Sequence, residues 1–182
     1  MKRTRVLVAG VGNIFLGDDA FGVEVAQRLA RRPLPDGVHV VDFGIRGLDL
    51  AYALVDGYEA VILVDATPRG GRPGTLYVLE PAAEAPTDDC PMLETHGLDP
   101  VKVLRLAAAM GGRVGRLLVV GCEPAPAEGE DFRDGLSDAV RTAVDEAVPL
   151  IESLAARLLR GEDVAAGNDN LITGKEGGSS QQ

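Results

Sequence analysis

Apolar and polar positions alternate along this chain in two different periods. Residues 5–9 form a short β-branched run ending at Gly10, which predicts a buried strand. Phe21, Val25 and Leu29 then recur at every fourth position, the inward face of a helix over residues 19–31. Pro33, Pro35 and Gly37 mark a turn. A second strand follows at 38–43 (VHVVDF), then a short helix at 48–55 closed by Gly57, then a third strand at 60–64 (AVILV) ending at Asp65. The GGRPG turn at 70–74 leads to a fourth strand at 75–79. Residues 80–97 read as a long loop rich in Pro and acid. A helix is predicted over 100–110, with Asp99 as a candidate cap and Pro100 at its first position. A fifth strand is predicted over 116–120, and a last helix over about 136–159 that Pro149 bends or splits.

Alternating strands and helices predict an α/β fold, a three-layer sandwich with a mostly parallel five-stranded sheet between helices. Residues 1–160 read as a single α/β domain. From Gly161 the composition shifts to Gly, Asn, Ser and Gln, which predicts a disordered tail over 161–182. In open sheets of this kind ligands bind beyond the carboxyl ends of the strands. Residues just after a strand are therefore the candidates for chemistry.

Composition narrows the partners. A net charge of -10 and a pI near 4.6 argue against nucleic acid or an anionic membrane as the main partner. No apolar run approaches the roughly 18 residues of a membrane span. The basic start at residues 1–5 superficially resembles a signal peptide, but Gly10, Gly12, Asn13 and Asp18 break the apolar run early, as expected of a first strand. Cys90 and Cys122 form no CxxC pair and fit free thiols in a reducing cytoplasm better than a single disulfide.

The loop after the first strand, GVGNIFLGDDAFG, places Gly10 and Gly12 as a dinucleotide fingerprint would, but Phe15 stands at the third glycine. Asp18 and Asp19 already bring negative charge to the helix start, where a pyrophosphate would have to bind. A nucleotide site is thus disfavoured. The plain alternative is that the acid pair caps the helix; one of the two can do so and leave the other to face a cation. Asp65 ends an apolar strand, where a carboxylate is costly unless paired or bound. Taken alone, Asp65 is better read as capping the turn at Thr67 or Pro68. His96 lies in ETHGLDP, just before a helix, whereas His39 lies inside a strand, packed or facing solvent. Asp19, Asp65 and His96 all fall on what can be one edge of the sheet. Two carboxylates and an imidazole make a mixed oxygen and nitrogen donor set for a divalent transition ion, with positions left for water or substrate.

The opening motif, Gly10-x-Gly12-Asn13 with Asp18-Asp19 and Gly22, resembles that of the [NiFe]-hydrogenase maturation endopeptidases. The strand carboxylate in ILVDA and the histidine in THGLDP resemble that family's second and third ligand motifs, in the same order, and the likeness covers roughly residues 5–160. The resemblance implies a protease-like α/β domain that removes a C-terminal peptide from the hydrogenase large-subunit precursor once nickel is inserted. It implies Asp19, Asp65 and His96 as both the metal-contact and the catalytic residues. Nickel is then carried by the substrate, another divalent ion can occupy the site in isolated protein, and the partner is the precursor in the cytoplasm. After the second strand the family often carries a D-G-G-[TS] turn, whereas this chain reads DFGIRG at 42–47, which bears on which precursor is recognised. Asp42 is a candidate helper carboxylate, though a turn-capping role is favoured. Arg46 is a candidate partner for an acidic group of the substrate and equally a plain surface side chain.

No serine or cysteine nucleophile is supported: G-x-S-x-G is absent, and Cys122 reads as a buried apolar residue. Peptide hydrolysis by a metal-polarised water fits the donor set better, and a carboxylate base, Asp18 or Asp19, is the weaker variant. A non-catalytic nickel-sensing maturation chaperone is the alternative from another class.

Overall fold

The computed structural model describes residues 4–81, 100–126 and 135–164. Its strands are β1 (Val6–Val11), β2 (Val38–Gly44), β3 (Ala60–Ala66), β4 (Leu76–Leu79) and β5 (Arg116–Cys122). Its helices are α1 (Phe21–Leu29), α2 (Gly47–Val55), α3 (Pro100–Ala109) and α4 (Asp138–Leu159), with a 3-10 turn at Gly17–Ala20 leading into α1. The strands form one five-stranded sheet in the order β2-β1-β3-β5-β4. β1, β2, β3 and β5 run parallel, and β4 pairs antiparallel with β5 at the edge. This is the mostly parallel sheet the sequence pattern predicts.

Strand pleating divides the core. Val6, Val8, Ile62, Val64, Leu118 and Val120 face α1 and α4, while Leu7, Ala9, Val61, Leu63 and Val119 face α2 and α3. The sheet is thus covered on both faces, as continuous apolar strands require. Phe21, Val25 and Leu29 are all fully buried, as their spacing predicts.

α1 lies unusually close to the sheet. A Cβ on Gly22 would sit 2.0 Å from the Val64 carbonyl oxygen and 2.4 Å from that of Val11. The motif's last glycine therefore lets the start of α1 rest directly on the ends of β1 and β3.

Three expectations shift. The helix predicted over 19–31 begins as a 3-10 turn and becomes α-helical only at Phe21. α4 runs through Pro149 as one helix, and that proline does not split it. Packing also continues into the segment expected as a tail: Val164 is buried, and its carbonyl accepts from the Arg116 guanidinium. The expected loop at 80–97 and the Asp99 cap lie almost wholly outside the described residues.

Candidate active site

The strand order fixes where a crevice opens. From β1 the chain steps to β2 on one side, then crosses to β3 on the other, so β1 and β3 flank a topological switch point. Asp19 follows β1 and Asp65 lies near the end of β3. The structure brings these two together, and their carboxylates feel each other's charge. Asp65 is only 5% exposed. Burial pushes its carboxyl well above the ordinary carboxylate range, the nearby Asp19 charge adds to this, and the Ala66 N–H opposes it more weakly.

Asp19 is held from within its own loop. The Asn13 N–H donates to its carboxylate at 2.8 Å. The Asn13 side chain in turn accepts from the Phe15 N–H at 3.0 Å, and the Leu16 and Asp19 N–H groups donate to the Asn13 and Leu16 carbonyls. Gly12 allows this closure: its φ is +137°, and a Cβ there would lie 1.8 Å from the Asp19 carbonyl oxygen.

The acid pair is divided in function. Asp18 turns away from Asp19 and accepts from the Ala125 N–H at 2.8 Å, the Ser137 N–H at 2.6 Å and the Ser137 hydroxyl at 2.9 Å. Ser137 is the N-cap of α4, so Asp18 fastens the end of the β5 segment and the start of α4 to the β1 loop. Neither acid caps the helix that follows it: neither the 3-10 turn nor α1 has a side-chain cap. With its carboxylate committed to three donors, Asp18 is also poorly placed as a base.

Asp65 is not the cap of the turn after β3. That task falls to Glu123, just past β5. It accepts from the Arg69 and Gly70 N–H groups and, at 2.7 Å, from the Tyr77 hydroxyl. The Thr67 N–H pairs with the Cys122 carbonyl. The sequence reading passed over Glu123 and Tyr77, since nothing in their local pattern announces partners about fifty residues away.

The secondary candidates have structural roles. Asp42 accepts from the Gln27 side chain at 3.1 Å, rather than capping its own turn. The Arg46 guanidinium folds back onto the carbonyls of Asp42 and Phe43 and meets Asp49 at 3.4 Å. His39 is exposed and stands edge-on to Tyr58 at 5.8 Å, at the other end of the strands. Cys122 is a free, fully buried thiol that burial pushes up to about 12, which makes it a poor nucleophile. His96 and Cys90 lie outside the described residues, and among the described residues no cluster of three metal-binding side chains occurs.

A family model described as hydrogenase maturation protease matches residues 23–154. The chain belongs to the hydrogenase maturation protease family. The match includes Asp65 and His96 but begins after the acid pair; pairwise similarities extend further. A putative hydrogenase maturation protease of Methanocaldococcus jannaschii is 32% identical over 154 residues, covering 83% of this chain and 96% of its own. The hydrogenase 2 maturation protease of Escherichia coli is 30% identical, with 85% and 90% covered. Among solved structures, the hydrogenase maturating endopeptidase HybD of E. coli superposes with a TM-score of 0.68 at 29% identity, covering 87% of this chain and 94% of that one. A hydrogenase 2 maturation peptidase from a Thaumarchaeota archaeon gives a TM-score of 0.64 at 33% identity, with 84% and 99% covered.

Proposed function

We propose that this protein removes the C-terminal peptide of a nickel-loaded [NiFe]-hydrogenase large-subunit precursor, reading the nickel through Asp19, Asp65 and His96. One observation carries the reading. A buried carboxylate, Asp65, lies within reach of the Asp19 charge at the switch point of a sheet whose family is proteolytic. Two like charges so placed are unfavourable without a counter-ion, and a divalent cation relieves both burial and repulsion. His96 is assigned as the third contact from its THGLDP setting, since one borderline nitrogen donor beside two oxygens suits nickel.

In this reading nickel is cargo of the substrate rather than a resident cofactor. The chain supplies two carboxylates, Asp65 with a raised proton affinity and Asp19 held by the Asn13 N–H. A precursor without nickel lacks the anchor and stays uncleaved. Hydrolysis then adds water across the scissile amide beside the bound ion, which supplies the Lewis acidity that lowers the water's pKa and steadies the oxyanion. We place the reaction in the cytoplasm, where the free Cys122 thiol stays reduced.

The test incubates the purified chain with nickel-loaded and nickel-free precursor and follows the precursor's mass. Loss of the C-terminal peptide from the loaded form alone is expected. Equal processing of both forms refutes nickel recognition, and binding without any mass change shows a chaperone instead.

A further inference from the structure

Among the described residues, seven large apolar side chains are well exposed, and six of them belong to two adjacent segments. Ile14, Phe15 and Leu16 follow β1, and Ile45, Leu48 and Tyr52 follow β2. Exposed apolar residues on a monomer are usually scattered singly, and a concentration of this kind marks a contact surface. The two segments are joined: β1 and β2 are neighbouring strands, and the Gly12 N–H donates to the Gly44 carbonyl at 3.0 Å.

The first segment is held rigidly. The same Asn13 hydrogen bonds that aim Asp19 also hold the backbone of Phe15 and Leu16. Phe15 is nevertheless 70% exposed. An apolar knuckle fixed in water is preorganised for a partner, because little ordering entropy remains to be lost on docking.

Charge sets the patch apart. On a chain of net charge -10, residues 10–17 carry no charged side chain, and residues 43–52 carry only Arg46 and Asp49, which offset each other as an ion pair at 3.4 Å. The patch is also continuous with the Asp19 carboxylate, four residues beyond Phe15 in the same closed loop. A protease's substrate is a polypeptide, and this patch follows directly on the strand ends that flank the switch point.

We infer that the Ile14–Leu16 and Ile45–Tyr52 segments form an apolar docking surface for an uncharged, hydrophobic segment of the precursor polypeptide, seated beside the carboxylate pair. The inference rests on the proposed precursor reading. It assigns binding of the protein body to this surface and binding of the metal to Asp19 and Asp65. The variant DFGIRG turn lies within it, so Ile45 is a specificity-determining residue.

The experiment uses the full chain carrying Phe15→Ser and Ile45→Ser, both exposed positions that the core does not need. KM for nickel-loaded precursor is expected to rise about ten-fold or more with kcat unchanged. Titration with cobalt alone should match wild type, showing the carboxylate pair intact. A second arm measures by calorimetry the affinity of the wild-type chain and of the double variant for nickel-free precursor, which stays uncleaved, and about a ten-fold loss is expected. Wild-type KM and affinity in the double variant overturn the docking inference while leaving the protease reading in place. A wild-type chain that never cleaves loaded precursor overturns the protease reading, and the calorimetric arm still decides the docking. If the variant instead converts a dimer to a monomer by sedimentation with unchanged precursor affinity, the patch is a self-association surface and the inference fails.

Discussion

Asp65 and Glu123 are two carboxylates at the same edge of the same sheet, each 5% exposed. Glu123 is surrounded by donors, two backbone N–H groups and the Tyr77 hydroxyl, all aimed at it. Asp65 faces another carboxylate, and burial pushes its proton affinity up. Burial alone therefore does not mark a functional acid; what faces the carboxylate decides. A carboxylate saturated by donors holds a turn in place, whereas one buried near a like charge has its charged form disfavoured. Asp18 and Asp19 differ in the same way at adjacent positions: Asp18 accepts from three donors just past β5 and at the start of α4, while Asp19 is held by the Asn13 N–H and its charge acts on Asp65.

The strongest way to break the comparison is to exchange the two roles. Asp65→Ala and His96→Ala are each expected to lower precursor processing by about 100-fold or more, measured by mass of the C-terminal fragment, with the unfolding midpoint retained. Asp65→Asn should leave the ion-free fold at least as stable as wild type at neutral pH, because a neutral amide avoids the burial cost that disfavours the charged carboxylate. A marked loss of stability there would show Asp65 to be structural after all.

Glu123→Ala should do the reverse. It strands two N–H groups and a phenol, and urea unfolding should show a loss of about 2–4 kcal/mol, with cobalt binding by the folded protein unchanged. Loss of cobalt binding without loss of stability would erase the distinction between the two acids.

Tyr77 gives a pH-resolved version. Burial, then the hydrogen bond to Glu123 and its charge, push the phenol up to about 12 from an ordinary value of 10.0. The unfolded chain ionises first, so the folded state binds the extra proton between these values. Stability is full below pH 10 and falls as pH rises toward 12. Cys122, pushed up to about 12 from 9.0, adds a loss in the same direction that begins about one pH unit lower. Tyr77→Phe should flatten the tyrosine part of the decline in an alkaline unfolding series, and an unchanged slope would show that the phenol does not contribute.

The smallest effect tests the Asp18 clasp. Ser137→Ala removes both the α4 cap and one donor to Asp18 and should lower stability by about 1 kcal/mol, with processing close to wild type. A processing defect larger than the stability loss would bring Asp18 into the chemistry.

Much of the scaffold was legible because its rules are local. Phe21, Val25 and Leu29 carry helical periodicity that burial then satisfies. The runs at β1, β3 and β5 are apolar on both faces because both faces are covered. The motif glycines were visible as glycines, but their purpose was not: Gly22 matters because the Val64 carbonyl, forty-two residues on, lies where its Cβ would be. Likewise, the resemblance singled out Asp19 from the acid pair, but the task of Asp18, holding Ala125 and Ser137 more than a hundred residues away, was not legible.

The sequence by itself determined the class of fold and the inventory of chemistry, since periodicity, turn residues and the identities of Asp19, Asp65 and His96 are properties of short stretches. The tertiary structure decided what surrounds each acid. Crossing from β2 to β3 over the far side of β1 set Asp19 against Asp65, and the meeting of α4 with the β1 loop occupied Asp18. Those outcomes follow from packing between segments far apart in the chain, where a carboxylate's behaviour is fixed by the donors and charges around it and not by its neighbours in sequence.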